Sequence, residues 1–218
     1  MIRIWCLAAL LPALIFWNCN PPKTERSSEL EEEIQSREIK KVSEGEITAG
    51  AYQLGQELTQ KTQQLLMSNL KMALQESGPK GAIEFCNVQA YPLVDSVQDN
   101  MDVTIRRTSL KVRNPDNEPG QLEKQILEAY HYNIEQGMDL NANVQGTEDG
   151  YLLYTQPIVI ENSLCLNCHG KVGETVSQDT YQLIKELYPA DSATGFERGS
   201  LRGMWSIKMA PKEIIEQL

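Results

Sequence analysis

Histidine is scarce in this chain of 218 residues, which contains only His131 and His169. No Ser/His/Asp set and no catalytic pair of carboxylates is evident, so the sequence argues against an enzyme. No run of Lys and Arg forms a basic patch, and the formal net charge is −10. This charge argues against nucleic acid as a partner and against a polybasic contact with a membrane surface.

The N-terminus has the pattern of an export signal. Arg3 precedes residues 4–17, which carry no charge but are short of the about 20 apolar residues that a membrane span needs. We therefore predict a signal peptide over residues 1–18. Cys19 follows as in a bacterial lipoprotein signal and is the predicted lipidation site. Because Asn18 replaces the small residue usual there, plain secretion and a retained anchor stay open. All three readings place the chain outside the cytoplasm, and lipidation predicts a membrane-anchored periplasmic lipoprotein.

The rest of the chain divides into a tether and one domain. Residues 19–45 are polar and mixed in charge, as in a flexible tether, and the folded domain is predicted over residues 46–218. Hydrophobic spacing predicts helices first and then strands interleaved with single helices, which indicates an α+β fold with an antiparallel sheet. The predicted helices are 48–76, 79–90, 121–136, 180–187 and 211–217, and the predicted strands are 102–110, 150–161 and 199–210.

The stretch "SLCLNCHG" contains the pattern Cys-x-x-Cys-His, formed by Cys165, Cys168 and His169. Haem c is attached through thioethers from two cysteines, and two intervening residues let both sulfur atoms reach one macrocycle. A histidine directly after the second cysteine then lies under the iron. The motif therefore predicts one covalently bound haem c per chain, with His169 as an axial ligand.

Three other interpretations of the motif fit less well. A zinc site needs two more ligands, and the spare Cys86 and His131 are far apart in the sequence. A thioredoxin-like dithiol is expected near a βαβ pattern, which is absent. A disulfide between Cys165 and Cys168 would be strained and would add little stability.

The second axial ligand has several candidates. His131 is the remaining imidazole, but its position in a predicted helix also suits a surface residue. Cys86 is left over once Cys6 and Cys19 are assigned to the signal and the motif cysteines to haem, and an unpaired thiol in an oxidising compartment calls for an explanation. It could equally be a buried structural cysteine. The methionines at 67, 72, 101, 138, 204 and 209 could also coordinate iron, although each also suits the core.

The flanking sequences resemble one family. "RRTSLKVRNPDNEPGQLEKQILEAY", the upstream "AIEFCN", the downstream "YTQPIVIENSLCLNCHG" and the late "SLRGMWSI" are together similar to the PAS-like c-type haem sensor domains, over roughly residues 46–212. This resemblance implies a PAS-like antiparallel sheet with long N-terminal helices packed against it. It also implies that His169 is the proximal ligand and Cys86 the distal one.

A His/Cys ligand pair has functional consequences. A thiolate neutralises the charge of ferric iron and lowers the reduction potential. On reduction Cys86 could leave, which would open a site for nitric oxide or carbon monoxide or move the helix that carries it. We expect a redox or gas sensor that acts through a separate signalling partner; a single-haem electron-transfer cytochrome is the alternative.

Two arginines are candidates for the haem propionates. On the strand over 102–110, Arg107 shares a face with Val103 and Ile105, and an inward-facing arginine needs an anionic partner. Arg113 is the weaker candidate, and a salt bridge to a protein carboxylate is the alternative for both. Asn114 is interpreted as a turn and cap residue.

Overall fold

The computed structural model describes residues 42–98 and 100–218. The predicted signal peptide, Cys19 and most of the predicted tether lie outside the described residues. The helices are α1 (Glu44–Val88), α2 (Ala90–Val97), α3 (Gln121–Glu135), α4 (Ser163–His169), α5 (Gln178–Leu187) and α6 (Pro211–Ile215). The strands are β1 (Val103–Thr108), β2 (Asn143–Gly146), β3 (Leu152–Val159) and β4 (Leu201–Met209). Within the described ranges, no helix is long and apolar enough to cross a membrane.

The long helix α1 begins at a reciprocal cap. The hydroxyl of Ser43 accepts a hydrogen bond from the Glu46 amide at 3.2 Å, and the Glu46 carboxylate accepts one from the Ser43 amide at 2.8 Å. Such caps stabilise a helix by about 1 kcal/mol. As predicted, the helical path is interrupted at Gly78, whose φ of 64° and ψ of −160° are not helical, and it resumes at Pro79. Pro is favoured at the first helical position because it has no N–H to leave unpaired. Cys86 therefore lies on the second segment of α1.

The four strands form one antiparallel sheet in the order β1-β4-β3-β2. This confirms the predicted α+β fold with an antiparallel sheet and a long N-terminal helix. Three elements were not predicted: α2, the short helix α4 over the motif, and the short strand β2, which pairs with β3. The PAS-like relationship stays a prediction.

Helices cover both faces of the sheet. On one face, Tyr154 and Ile207 pack with Leu54 and other residues of α1, all of them buried. A Cβ at Gly55 would lie 2.2 Å from the Tyr154 ring, so glycine lets α1 approach β3 closely. On the other face, Leu127 of α3 is fully buried in a separate cluster with Leu153 and Met204. Each such side chain contributes roughly 1.5–3 kcal/mol by leaving water.

One end of the sheet gathers the chain segments that form the site. In the antiparallel register Thr108, at the end of β1, lies opposite Met204 near the start of β4. Val159, at the end of β3, pairs with Leu201 at the start of β4. The segment after β1, helix α4 after β3 and the first residues of β4 therefore meet at this end.

Candidate cofactor-binding cavity

A cavity of about 300 Å³ lies at this end of the sheet. Its wall is formed by both segments of α1, by α2, by the ends of β1 and β3, by α4 and by the start of β4, and much of it is apolar. It brings together six of the residues that the sequence singled out, together with one arginine that it did not. These residues are Cys86, Arg107, Arg113, Cys165, Cys168, His169 and Arg202.

The motif Cys-Leu-Asn-Cys-His forms the short helix α4. Its N-terminus is capped by Asn162, whose side-chain oxygen accepts a hydrogen bond from the Leu164 amide at 2.9 Å. Its C-terminus is Gly170, where a Cβ would lie 1.9 Å from Thr175 Oγ1 and 2.7 Å from the Leu166 carbonyl oxygen. A larger residue would therefore have to displace Thr175 and the backbone of α4.

The ring of His169 is held by one hydrogen bond. Its Nδ1 lies 2.8 Å from the carbonyl oxygen of Ala193, which can only accept, so Nδ1 carries the proton and Nε2 keeps a lone pair. Burial lowers the pKa of His169 well below its usual value, and the nearby Arg202 and Arg113 guanidinium groups lower it further. His169 is therefore a neutral imidazole, the form that binds a metal ion.

A loop after α5 fixes the position of this histidine. The amide of Phe196 donates to the His169 carbonyl at 2.9 Å, and the Gly195 amide donates to the Gly170 carbonyl at 2.8 Å. These two bonds hold the loop against the end of α4. The ring orientation and the backbone of His169 are thus set by the same few residues of the loop.

An ion pair ties this loop to the segment after β1. Asp191, whose side chain is fully buried, accepts hydrogen bonds from Arg113 Nε and from the Ala193 amide, both at 3.0 Å. Arg113 also donates to the Cys168 carbonyl at 2.6 Å. Arg113 was the weaker candidate for haem propionates. Its partners are instead a protein carboxylate and the backbone of α4, as in the alternative salt-bridge interpretation.

Cys86 lines the cavity from α1 and is half-buried. Burial raises the pKa of its thiol, although the Arg107 and Arg113 guanidinium groups act in the opposite direction. A thiolate here would therefore need a further cation, such as a metal ion, to stabilise it. Cys86, Cys165 and Cys168 are all free of disulfide bonds in the structure.

Arg107 lies on the predicted face of β1. It lines the cavity, while Val103 and Ile105 of the same face are buried in the core beneath α1. Its guanidinium carbon lies 5.5 Å from the centre of the Trp205 ring, its neighbour on β4. The adjacent Arg106 instead donates to the Glu118 carbonyl at 2.7 Å, on the other side of the strand.

The other candidates for the second axial ligand lie in different parts of the structure. His131 is exposed on α3, where it pairs with Glu135 at 3.3 Å, and it does not line the cavity. Met67 is the one methionine of the described residues that lines the cavity. Met204 and Met209 are fully buried in the core, and Met72 and Met138 are exposed. The sequence alone had not distinguished among these candidates.

A zinc site was one alternative for the motif. Within residues 42–98 and 100–218, no three His, Cys, Asp or Glu side chains come close enough to hold a metal ion on their own. The four protein ligands of a structural zinc site are therefore not assembled in this part of the chain.

Asn114 was predicted to be a turn and cap residue, and this is confirmed. Its side-chain oxygen accepts a hydrogen bond from the Asp116 amide at 3.2 Å, at the start of a short 3-10 helix over Pro115–Asn117. The turn carries Asn117, whose carbonyl oxygen accepts a hydrogen bond from the Thr108 hydroxyl.

Two residues of the site were missed by sequence reasoning, Arg202 and Asp191. Arg202 had a local signal, because Gly203 follows it inside an alternating strand and such a glycine often marks a bulge. Asp191 had none, since only the folded chain brings it beside Arg113, far away in the sequence.

Comparison with known proteins places the chain in a family. The crystal structure of the cyanobacterial heme-protein Tll0287 is similar at 25% sequence identity, over 72% of this chain and 94% of that chain, with a TM-score of 0.48. No curated protein matches the chain significantly. The family model described as Tll0287-like matches residues 26–210, which is most of the sequence. The chain therefore belongs to the Tll0287-like family.

Proposed function

We propose that this protein binds one haem c in the cavity, covalently through Cys165 and Cys168, with His169 as an axial ligand. The observation that carries the proposal is that all three motif residues and Cys86 line one cavity. His169 presents a neutral imidazole whose Nδ1 is already bonded to Ala193, which leaves Nε2 available. Bound haem would supply an iron that exchanges one electron and takes up small ligands.

The residues present fit this cofactor. Two free thiols lie one helical turn apart on α4, and the cavity that they line combines apolar side chains with arginines. Such a wall suits a large apolar ring that also carries carboxylate groups. The cavity is large enough to fall in the usual range for small-molecule sites.

Covalent attachment is tested by expression together with a cytochrome c maturation system. We expect the wild-type chain to show haem-linked peroxidase staining on a denaturing gel, and the double variant Cys165→Ala/Cys168→Ala to show none. Cys86→Ala is the matched control, because it removes a cavity thiol outside the motif and should keep the stain. An unstained wild-type chain would refute covalent haem binding.

Cys86 is proposed as the second axial ligand. It lines the cavity, whereas His131 does not, and it lies on the segment of α1 that follows the break at Gly78. Cys86→Ala should change the ferric spectrum, while Met67→Leu, which alters the rival ligand in the same cavity, should leave it unchanged. The reverse pattern would assign the position to Met67.

The role that we propose is sensing of redox state or of a diatomic gas, in which Cys86 leaves when an electron arrives. The break at Gly78 supports this role, because it separates the Cys86 segment from the rest of α1. Spectra of both oxidation states, with and without nitric oxide or carbon monoxide, test it. If the axial ligands are the same in both oxidation states and the iron binds neither gas, the electron-transfer cytochrome is favoured instead. Neither role requires catalytic turnover, and both require a partner protein.

An extracytoplasmic location, with a lipid anchor at Cys19, completes the proposal. The support is the sequence pattern of residues 1–19 alone. Cys19→Ser should move the mature protein from the membrane fraction to the soluble periplasmic fraction. If the wild-type protein and Cys19→Ser appear in the same fraction, the lipid anchor is refuted.

A further inference from the structure

Two arginines of the cavity have no carboxylate partner in the described part of the chain. Neither Arg107 nor Arg202 forms an ion pair with any residue of 42–98 or 100–218. Arg202 donates one hydrogen bond, to the Lys111 carbonyl at 3.1 Å, and its guanidinium carbon lies 5.3 Å from the centre of the Phe196 ring. Burial lowers the pKa of Arg202 to about 9, and the nearby Arg113 and Arg107 contribute. Arg202 thus stays charged at neutral pH.

A β-bulge gives Arg202 its direction. Leu201 pairs with Val159 and Gly203 pairs with Ile158, so Arg202 is an extra residue in β4. Regular alternation would place Arg202 with Met204, on the face that packs against α3. At the bulge Arg202 lines the cavity instead.

Gly203 lets β4 pass close to β1 beside this bulge. A Cβ at this position would lie 2.3 Å from the carbonyl oxygen of Thr108. Bulges recur beside functional sites because they redirect a side chain, here a charged one that would otherwise meet the apolar cluster beneath α3. The bulge and the close approach at Gly203 together leave Arg202 in the cavity wall.

The other two arginines that line the cavity each have a carboxylate partner, and Arg106 lies 3.6 Å from the Glu123 carboxylate. Arg113 is balanced by Asp191, with which it forms a buried ion pair. Asp191 also raises the pKa of Arg202, but no hydrogen bond or ion pair joins the two side chains. Two of the four arginine charges of the cavity wall, those of Arg107 and Arg202, are therefore left without a bonded anion among the described residues.

We propose that Arg107 and Arg202 form a carboxylate-binding pair that holds the two propionate groups of the haem, whereas Arg113 has a structural role. This inference rests on the proposed function. Cations in a partly buried wall are stabilised by anionic ligands, and the fork of an arginine matches a carboxylate. Two unpaired arginines correspond to two propionates.

The test compares Arg202→Gln and Arg107→Gln with Arg198→Gln in the haem-loaded protein. Arg198 is exposed and does not line the cavity, so its variant removes the same charge without changing the cavity wall. We expect the resonance Raman band of propionate bending to shift in both cavity variants and to stay unchanged in Arg198→Gln. We also expect a lower midpoint potential in both cavity variants, because a nearby cation favours the reduced iron.

The outcomes distinguish this inference from the proposed function. Absence of covalent haem in the wild-type chain would refute the proposed function. If covalent haem is present but the propionate band is unchanged in both cavity variants, the carboxylate-binding pair is refuted and the proposed function stands. This holds even if the midpoint potential falls. If Arg202→Gln fails to fold, Arg202→Lys is compared in its place. Lysine keeps the positive charge but lacks the forked guanidinium group. The propionate band should therefore still shift, while the midpoint potential should stay near that of the wild type.

Discussion

Replacement of Asp191 by asparagine tests whether the buried ion pair holds the site together. The Asp191 side chain is fully buried, and that of Arg113 is only 13% exposed. The substitution Asp191→Asn would remove the negative charge from this pair and leave the guanidinium group of Arg113 buried without an anion. Breaking a buried pair in this way costs about 3–5 kcal/mol.

The lower end of this range is expected here. Arg113 would keep its hydrogen bonds to the carbonyl oxygens of Cys168 and Ala193, at 2.6 and 3.3 Å. The side chain of asparagine could also still accept from the Ala193 amide. We therefore expect Asp191→Asn to lower the free energy of unfolding by about 3 kcal/mol.

Urea unfolding followed by circular dichroism measures this loss, with an unchanged slope if only the folded state is affected. Glu128→Gln is the matched control, because it removes a carboxylate from an exposed pair with Lys124 and should cost at most about 0.5 kcal/mol. Adding Arg113→Met to Asp191→Asn should restore part of the loss, since the unpaired cation is then gone. A loss below about 1 kcal/mol for Asp191→Asn would refute this account of the ion pair.

Three further predictions concern the core and the turn after α4. Gly170→Ala should lower the free energy of unfolding by about 1–3 kcal/mol, because the added methyl group would overlap Thr175. Gly146→Ala is the control, since Gly146 has open space around it, and its melting temperature should not fall for this reason. Leu127→Ala should cost about 2–5 kcal/mol in urea unfolding, and a cost under about 1 kcal/mol would mean that the cluster beneath α3 is not packed as described. Burial raises the pKa of Tyr154 to about 12, so the stability that this group contributes is present below about pH 10 and is lost as the pH rises through about 12. Tyr154→Phe should therefore flatten the alkaline fall in melting temperature, and an equal fall in both chains would contradict this.

The fold was predictable where local chemistry decides it. Gly78 and Pro79 ended the first helical pattern in the sequence, and the structure breaks α1 there. The strands with β-branched alternation were also found. By contrast, β2 is four residues long and has a weak pattern, and it becomes a strand by pairing with β3. Helix α2 contains Pro92 in its first turn, and its apolar residues pack under the sheet, so tertiary contacts decide its conformation.

The site was predictable to the extent that its residues are rare or patterned. Cysteine counting singled out Cys86, and strand alternation gave the face of Arg107; both line the cavity with the motif. Arg202 was missed because the period of two assigns it to the opposite face, and only the register shift against β3 reverses that assignment. Asp191 was missed because its partner is 78 residues away in the chain.

The two sides of the cavity are held by different kinds of contact, and this difference bears on which of the two proposed ligands could move. Around His169, the ring, the carbonyl oxygen and the neighbouring Cys168 carbonyl oxygen are each fixed by a separate hydrogen bond from the 191–196 loop or from Arg113. Displacing His169 would break all of these bonds at once. Cys86 instead belongs to a helical segment that joins the rest of α1 through the non-helical Gly78 and is held by the buried Ala82, Ile83 and Phe85. The release of Cys86 proposed above would break none of these hydrogen bonds, so a switch of this kind should act through α1 and not through α4.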